Sequence, residues 1–150
     1  MTIRQTLSRT AAGLAAMAMA MLGAATIGVA PAAAATHEPI IHDQSGLCLD
    51  GSVSQGVRLN KCNGSSYQGW TVSGYYLKHN QSGLCLDGSV SQGVRLNTCK
   101  WNSYQRWSTF DGYKLEHEQS GLCLDGSVSQ GVRLNTCNYS TYQDWAVLDT

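Results

Sequence analysis

The sequence predicts an all-β domain of twelve short strands, arranged as three sets of four with pseudo-threefold symmetry. Three observations predict it. The stretch "QSGLCLDGSVSQGVRLN" occurs three times without a change, at 44–60, 81–97 and 119–135. The copies follow one another at 37 and then 38 residues, a period at which supersecondary units stack because one unit cannot bury its own apolar face. Glycines recur every few residues and the apolar runs are short and alternating, which excludes the helical units that share this period.

The first residues stand apart from the repeats. Arg4 and Arg9 precede an apolar run rich in Ala and Met from Ala11 to Ala30, and Ala33-Ala34-Ala35 offer a small-residue cleavage site. That is the layout of a secretory signal peptide over residues 1–35. An uncleaved membrane anchor is the alternative, but no basic stop-transfer cluster follows the run. The domain is then expected to start near Thr36, to be secreted and extracellular, and to span about 115 residues, an ordinary size for one domain. Without Arg4 and Arg9, 8 basic residues face 10 acidic ones, a net charge of about −2. Nucleic acid would need a basic face, and an anionic membrane would need basic residues to hold the chain by charge.

Each repeat (about 36–73, 74–111 and 112–150) reads as four strands separated by turn residues such as "DQSG", "DGSVSQG" and "NGSSYQG". In the first repeat they are Pro39–His42, Leu47–Asp50, Val57–Asn60 and Trp70–Val72. In the second they are Tyr76–His79, Leu84–Asp87, Val94–Asn97 and Trp107–Thr109. In the third they are Tyr113–His117, Leu122–Asp125, Val132–Asn135 and Trp145–Leu148. Alternation turns Leu47, Leu49, Val57 and Leu59 inward, with their copies, and makes Trp70, Trp107 and Trp145 the largest interior groups. Phe110 is the one phenylalanine, so the core is modest and calls for staples.

All six cysteines lie within the repeats. In an exported chain they are expected to form disulfides. Cys48 and Cys62, Cys85 and Cys99, and Cys123 and Cys137 are each 14 residues apart, and three within-repeat bridges respect the symmetry. A between-repeat set (Cys62–Cys85, Cys99–Cys123, Cys137–Cys48) respects it too. No C-x-x-C pair suggests zinc. His42, His79 and His117 also repeat, but they precede surface turns and are expected to be solvated residues, not ligands. No metal or cofactor is expected.

The tail of each repeat carries a Q-x-W motif: Tyr67-Gln68-Gly69-Trp70, Tyr104-Gln105-Arg106-Trp107 and Tyr142-Gln143-Asp144-Trp145. Each Trp falls 20 residues after the Asp of "CLD". With three copies at that spacing, the whole domain resembles the ricin B-type lectins. The resemblance implies a β-trefoil fold and carbohydrate binding, with Asp50, Asp87, Asp125, Asn63, Asn138, Tyr67, Tyr104 and Tyr142 lining the sugar pockets and the glutamines and tryptophans serving structure. The chemistry fits. An ionised carboxylate can accept from two neighbouring hydroxyls, an Asn can donate and accept, and a Tyr offers an apolar ring with a polar tip. The aspartates sit where a strand meets a glycine-containing turn and are expected to be exposed. The bland alternative has each Asp capping its own turn through backbone N–H groups.

The departures from the family pattern concern the pocket. Where many ricin-type pockets carry an aromatic just before the second cysteine, this chain has Asn60, Asn97 and Asn135. Arg58, Arg95 and Arg133 stand nearby and could pair with the aspartates or favour an acidic sugar. In the second repeat Lys100-Trp101 replaces Asn63-Gly64, and Trp101 is a candidate stacking platform or a patch of apolar surface. Each repeat supplies one repeated carboxylate, whereas glycosidases need a pair. The sequence therefore points to a non-catalytic domain, expected to be a monomer without membrane insertion, with glycans or polysaccharide as partners; a protein-binding or protease-inhibitor trefoil is the rival.

Overall fold

The computed structural model describes residues 38–147. The expected leader and the expected domain start near Thr36 lie outside the described residues. Twelve strands follow in chain order: β1 (Ile40–His42), β2 (Leu47–Ser52), β3 (Gly56–Asn60), β4 (Trp70–Ser73), β5 (Tyr76–His79), β6 (Cys85–Ser89), β7 (Gly93–Asn97), β8 (Trp107–Phe110), β9 (Lys114–His117), β10 (Leu122–Ser127), β11 (Gly131–Thr136) and β12 (Trp145–Val147). A 3-10 turn precedes each tryptophan strand, at Ser66–Gln68, Ser103–Gln105 and Thr141–Gln143. The β2–β3 hairpin runs further than the sequence suggests, because Gly51 and Ser52 continue the ladder opposite Val57 and Gly56. The same extension occurs in β6–β7 and β10–β11.

The strands form three antiparallel four-stranded sheets, ordered β12-β1-β2-β3, β4-β5-β6-β7 and β11-β10-β9-β8. The sheets are offset from the sequence repeats. Each takes the tryptophan strand of one repeat and the first three strands of the next. β1 and β12 close the ring, with Ile40 opposite Val147 and His42 opposite Trp145. β3, β7 and β11 approach one another pairwise, which places them around the pseudo-threefold axis. This is a β-trefoil arrangement.

Ile40, Leu49, Leu77, Leu86, Leu115 and Leu124 form the core with Trp70, Trp107 and Trp145, and Val57, Leu59 and their copies pack against it half-buried. Leu47, Leu84 and Leu122, expected inside, are only partly buried. Each lies two residues before a core leucine, but beside the preceding surface turn, at the edge of the core. Each tryptophan Nε1–H donates to a core leucine carbonyl, at 2.9 Å for Trp70 to Leu49, 3.0 Å for Trp107 to Leu86 and 2.9 Å for Trp145 to Leu124. The indole is thus buried with its one donor satisfied.

The disulfides are the within-repeat set, Cys48–Cys62, Cys85–Cys99 and Cys123–Cys137. The between-repeat alternative is not formed. Each bridge ties a buried β2-type strand to the exposed loop that leads into the 3-10 turn, and each contributes about 3 kcal/mol by restricting the unfolded chain.

The glycine after each repeated Asp is a packing residue. A Cβ on Gly88 would meet His117 at 3.0 Å and Trp107 at 3.1 Å, and one on Gly126 would meet Trp145 at 2.9 Å and His42 at 3.1 Å. The backbone of each repeat touches the histidine of the next through a gap only hydrogen fits. Gly88→Ala should therefore lower stability by about 1–3 kcal/mol, as overpacking does, read as a lower urea midpoint at unchanged slope.

Candidate functional site

The hairpin register sets Asp50 directly opposite Arg58, Asp87 opposite Arg95 and Asp125 opposite Arg133. The guanidinium Nη2 lies 2.8, 2.7 and 2.7 Å from the respective Asp Oδ1. Asp50 Oδ2 accepts from Gln68 Nε2 at 3.2 Å and from Asn60 Nδ2 at 3.4 Å. Gln105 and Asn97 hold Asp87 in the same way, and Gln143 and Asn135 hold Asp125. The aspartates are 2%, 3% and 2% exposed. This corrects the expectation of solvent-facing carboxylates at strand ends. The ladder continues past each Asp, and the 3-10 turn carrying the glutamine covers its face. The aspartates do not cap their turns either. Ser52 does that work in the first repeat, accepting from Gln55 N.

The glutamines tie the carboxylate to the loop, as a structural role requires. Gln68 Nε2 also donates to the Lys61 carbonyl at 2.9 Å, and its Oε1 accepts from Asn63 N at 2.9 Å. Gln105 and Gln143 repeat the pattern. Asn60, Asn97 and Asn135, which stand where an aromatic was expected from the family pattern, are partners of the carboxylates.

Beside these clusters lie open polar clefts. One of about 320 Å³ is lined by Asp87, Ser89, Arg95, Asn97, Lys100 and Tyr104, among others. One of about 330 Å³ is lined by Asp125, Ser127, Arg133, Asn135, Asn138 and Tyr142, among others. Tyr67, Tyr104 and Tyr142 are each half-exposed. Asn63 and Asn138 use Oδ1 to accept from Ser65 N and Ser140 N, and the Asn138 amide donates to the Thr136 carbonyl at 3.4 Å. Trp101 is not among the residues lining the second cleft. Its ring stands edge-on to Tyr76 at 4.9 Å, and its carbonyl accepts from the Tyr76 hydroxyl. It is apolar surface, not a platform in that cleft.

The two clefts differ in charge and in saturation. In the third repeat Asp125 balances Arg133; in the second, Asp87 faces both Arg95 and Lys100. Arg58 Nη1 donates to Gln55 and Arg133 Nη1 to Gln130, whereas Arg95 Nη1 is buried without a hydrogen-bond partner.

The repeated histidines are the residues whose role the sequence concealed. They are fully buried, against the expectation of solvated side chains. Each packs on the tryptophan of the preceding repeat: His79 on Trp70, His117 on Trp107 and His42 on Trp145, with ring centroids 4.8–5.0 Å apart. Nε2–H donates to a tyrosine carbonyl in that repeat, at 3.0 Å for His79 to Tyr67, 2.9 Å for His117 to Tyr104 and 3.1 Å for His42 to Tyr142. Since a carbonyl only accepts, Nδ1 is left to accept from the hydroxyl of Ser82, Ser120 or Ser45. The invariant H-x-x-S spacing, with the residue after His free to vary, is the signal that could have revealed this. The histidines thereby fix the backbone of the tyrosines that rim the clefts. Burial lowers the pKa of His79 and His117 below 6.5, the tyrosine carbonyl and nearby carboxylates opposing it.

Fold and site together define a trefoil carrying one polar, arginine-lined cluster per repeat. The model of the ricin-type β-trefoil lectin domain matches residues 36–145, and the chain belongs to that family. It is similar in structure to the designed threefold-symmetric protein ThreeFoil, with 24% identity and a TM-score of 0.63, over 75% of this chain and 98% of that one. It is also similar to the hemolytic lectin CEL-III, with 24% identity and a TM-score of 0.65, over 75% of this chain and 30% of that one. A GlcNAcα1-4Gal-releasing endo-β-galactosidase from Clostridium perfringens aligns with 18% identity and a TM-score of 0.64, over 74% of this chain and 31% of that one. The chain thus spans less than a third of the latter two. No curated protein matches the sequence.

Two outcomes are expected. Arg95→Ala should leave the Asp87 carboxylate buried without its cation and cost about 1–3 kcal/mol or more, measured by chemical unfolding; Arg95→Ala with Asp87→Asn should recover part of the loss. Acidification should also destabilise the fold. His79 and His117 titrate near 6.5 in the unfolded chain and lower in the folded one, so the unfolded state binds more protons in between. Stability is then full above pH 6.5 and falls below it. Melting temperatures recorded from neutral pH downward should show this decline, and His79→Gln should flatten it.

Proposed function

We propose that this chain is a secreted lectin that binds glycans through up to three equivalent sites and acts by multivalency. The carrying observation is the recurrence of one polar cleft beside each of Asp87 and Asp125, with a half-exposed tyrosine on its rim. A sugar offers hydroxyl edges and a C–H face. The serines, asparagine amides and guanidinium edge suit the first, and the tyrosine rings suit the second. The buried aspartates act through the groups they hold: they position the guanidinium, and the guanidinium faces the ligand. Each of these two clefts has one carboxylate in its lining, already paired with arginine, which favours binding over hydrolysis. Shallow single sites bind weakly, and three on one rigid body can raise avidity by roughly 10²–10⁴ when their spacing matches the glycan.

The "LD" turn and the "NGSSYQGW" tail resemble those of actinohivin, a small bacterial lectin of three such units. That pattern has a tyrosine where this chain has Arg58, Arg95 and Arg133, so a mannose preference does not transfer. The excess of positive charge from Arg95 and Lys100 over Asp87 favours an acidic sugar, such as a uronate, in the second cleft. The arginines that would carry a protein-docking reading are held by Asp50, Asp87 and Asp125.

A glycan array tests the reading. Replacing Tyr67, Tyr104 and Tyr142 together with Ala should abolish binding while leaving a cooperative melt, since the histidines bond the tyrosine carbonyls and not their rings. Lys100→Asn should selectively weaken acidic glycans. An array without ligands, or tyrosine variants that bind like the parent, would overturn the assignment.

A further inference from the structure

Two further clefts lie where one repeat meets the next, away from the arginine-lined ones. Between the second and third repeats a cleft of about 220 Å³ is lined by Tyr75, Arg106, Ser108 and Glu118. Arg106 lies across the Tyr75 ring, its guanidinium carbon 4.7 Å from the centroid, and its Nε is 3.0 Å from Glu118 Oε2. The protein thus fills this cleft with its own cation, held by an aromatic face and a carboxylate.

The symmetry-related cleft between the third and first repeats has the same walls and lacks that cation. It measures about 330 Å³ and is lined by Asp43, Tyr113, Asp144, Trp145 and Ala146. Tyr113 stands where Tyr75 does: the carbonyl of each accepts from the next tryptophan N–H, at 2.8 Å in both copies. Asp43 follows His42 as Glu118 follows His117. The position of Arg106 is taken by Asp144, which is drawn aside by the buried Lys114, 2.6 Å from its Oδ1. The Tyr113 side chain is 65% exposed, and the Asp43 carboxylate has no hydrogen bond or ion pair among the described residues.

We propose that the Tyr113 cleft is a binding site for a guanidinium group, supplied by an arginine side chain of a partner polypeptide. Tyrosine faces attract guanidinium by cation–π contact and stacking, and a free carboxylate supplies a charge-assisted hydrogen bond. Asp43, Asp144 and Lys114 leave the cleft with one net negative charge. Arg106 on Tyr75 and Glu118 shows the same walls holding this group. The site is independent of the glycan clefts.

The test uses N-acetyl-arginine amide as the probe, titrated into the intact domain while the ring resonances of Tyr113 and Trp145 are followed by NMR. Saturable shifts confined to this cleft are expected, with the uncharged citrulline analogue inactive. Tyr113→Ala and Asp43→Asn, both at exposed positions, should each weaken binding by about tenfold or more. Arg106→Ala should vacate the Tyr75 cleft and create a second site for the same probe. Equal response to citrulline, unaltered binding in Asp43→Asn, or a response to glucosamine but not to the arginine probe would overturn the proposal.

Discussion

The fold rests on three buried histidines, each clamped between repeats. His79 touches the Trp70 ring, crowds the hydrogen of Gly51 and donates to the Tyr67 carbonyl, all belonging to the repeat before its own. His117 and His42 do the same at the other two junctions. A neutral imidazole is well suited to this place. It has an apolar face for the indole, one donor for the carbonyl and one acceptor for a serine hydroxyl. The offset of sheets from repeats follows the same logic, because the strand bearing the histidine pairs with the tryptophan strand of its predecessor. No repeat completes a sheet by itself.

From that frame the candidate site inherits both its position and its electrostatics. The histidine fixes the backbone of the rim tyrosine, and the glutamine one residue later reaches the buried carboxylate. The carboxylate orients a guanidinium across the hairpin. An isolated buried charge would be prohibitive, so the Asp, Arg, Gln and Asn form a unit whose members cannot be changed one at a time without leaving a polar group stranded. What meets the solvent is the outer edge of that unit. Its character is set less by the Asp shared by all three repeats than by the few positions where the repeats differ, Lys100 against Asn63 and Asn138 above all.

Much of this was legible in the letters. Exact repetition and turn chemistry gave the strands, the count of three and the within-repeat cysteine spacing. The Trp and Gln of the Q-x-W tail take the structural roles assigned to them. The aspartates were misplaced because a glycine after Asp reads as a turn, whereas Gly51 and its copies are small for a different reason: a neighbour's histidine occupies the space a side chain would need. The same long-range fact hid the histidines: the repeated H-x-x-S spacing marks a local hydrogen bond, but not that another repeat covers the ring. Trp101 was ambiguous for a comparable reason. Its backbone takes the left-handed conformation that Gly64 takes in the first repeat, and the ring is thereby turned onto Tyr76.

The pairing of β1 with β12 has a temporal consequence. Within the domain β1 is made long before its partner β12, so one sheet stays open along an edge until the rest of the domain has emerged. The other two can zip from neighbouring segments as they emerge. Contacts of such long sequence separation are slow to form, and an unpaired strand edge invites association with another chain in the meantime. Trefoil closure is therefore the step at which a nascent copy is most exposed to exchanging its end strand with a sibling.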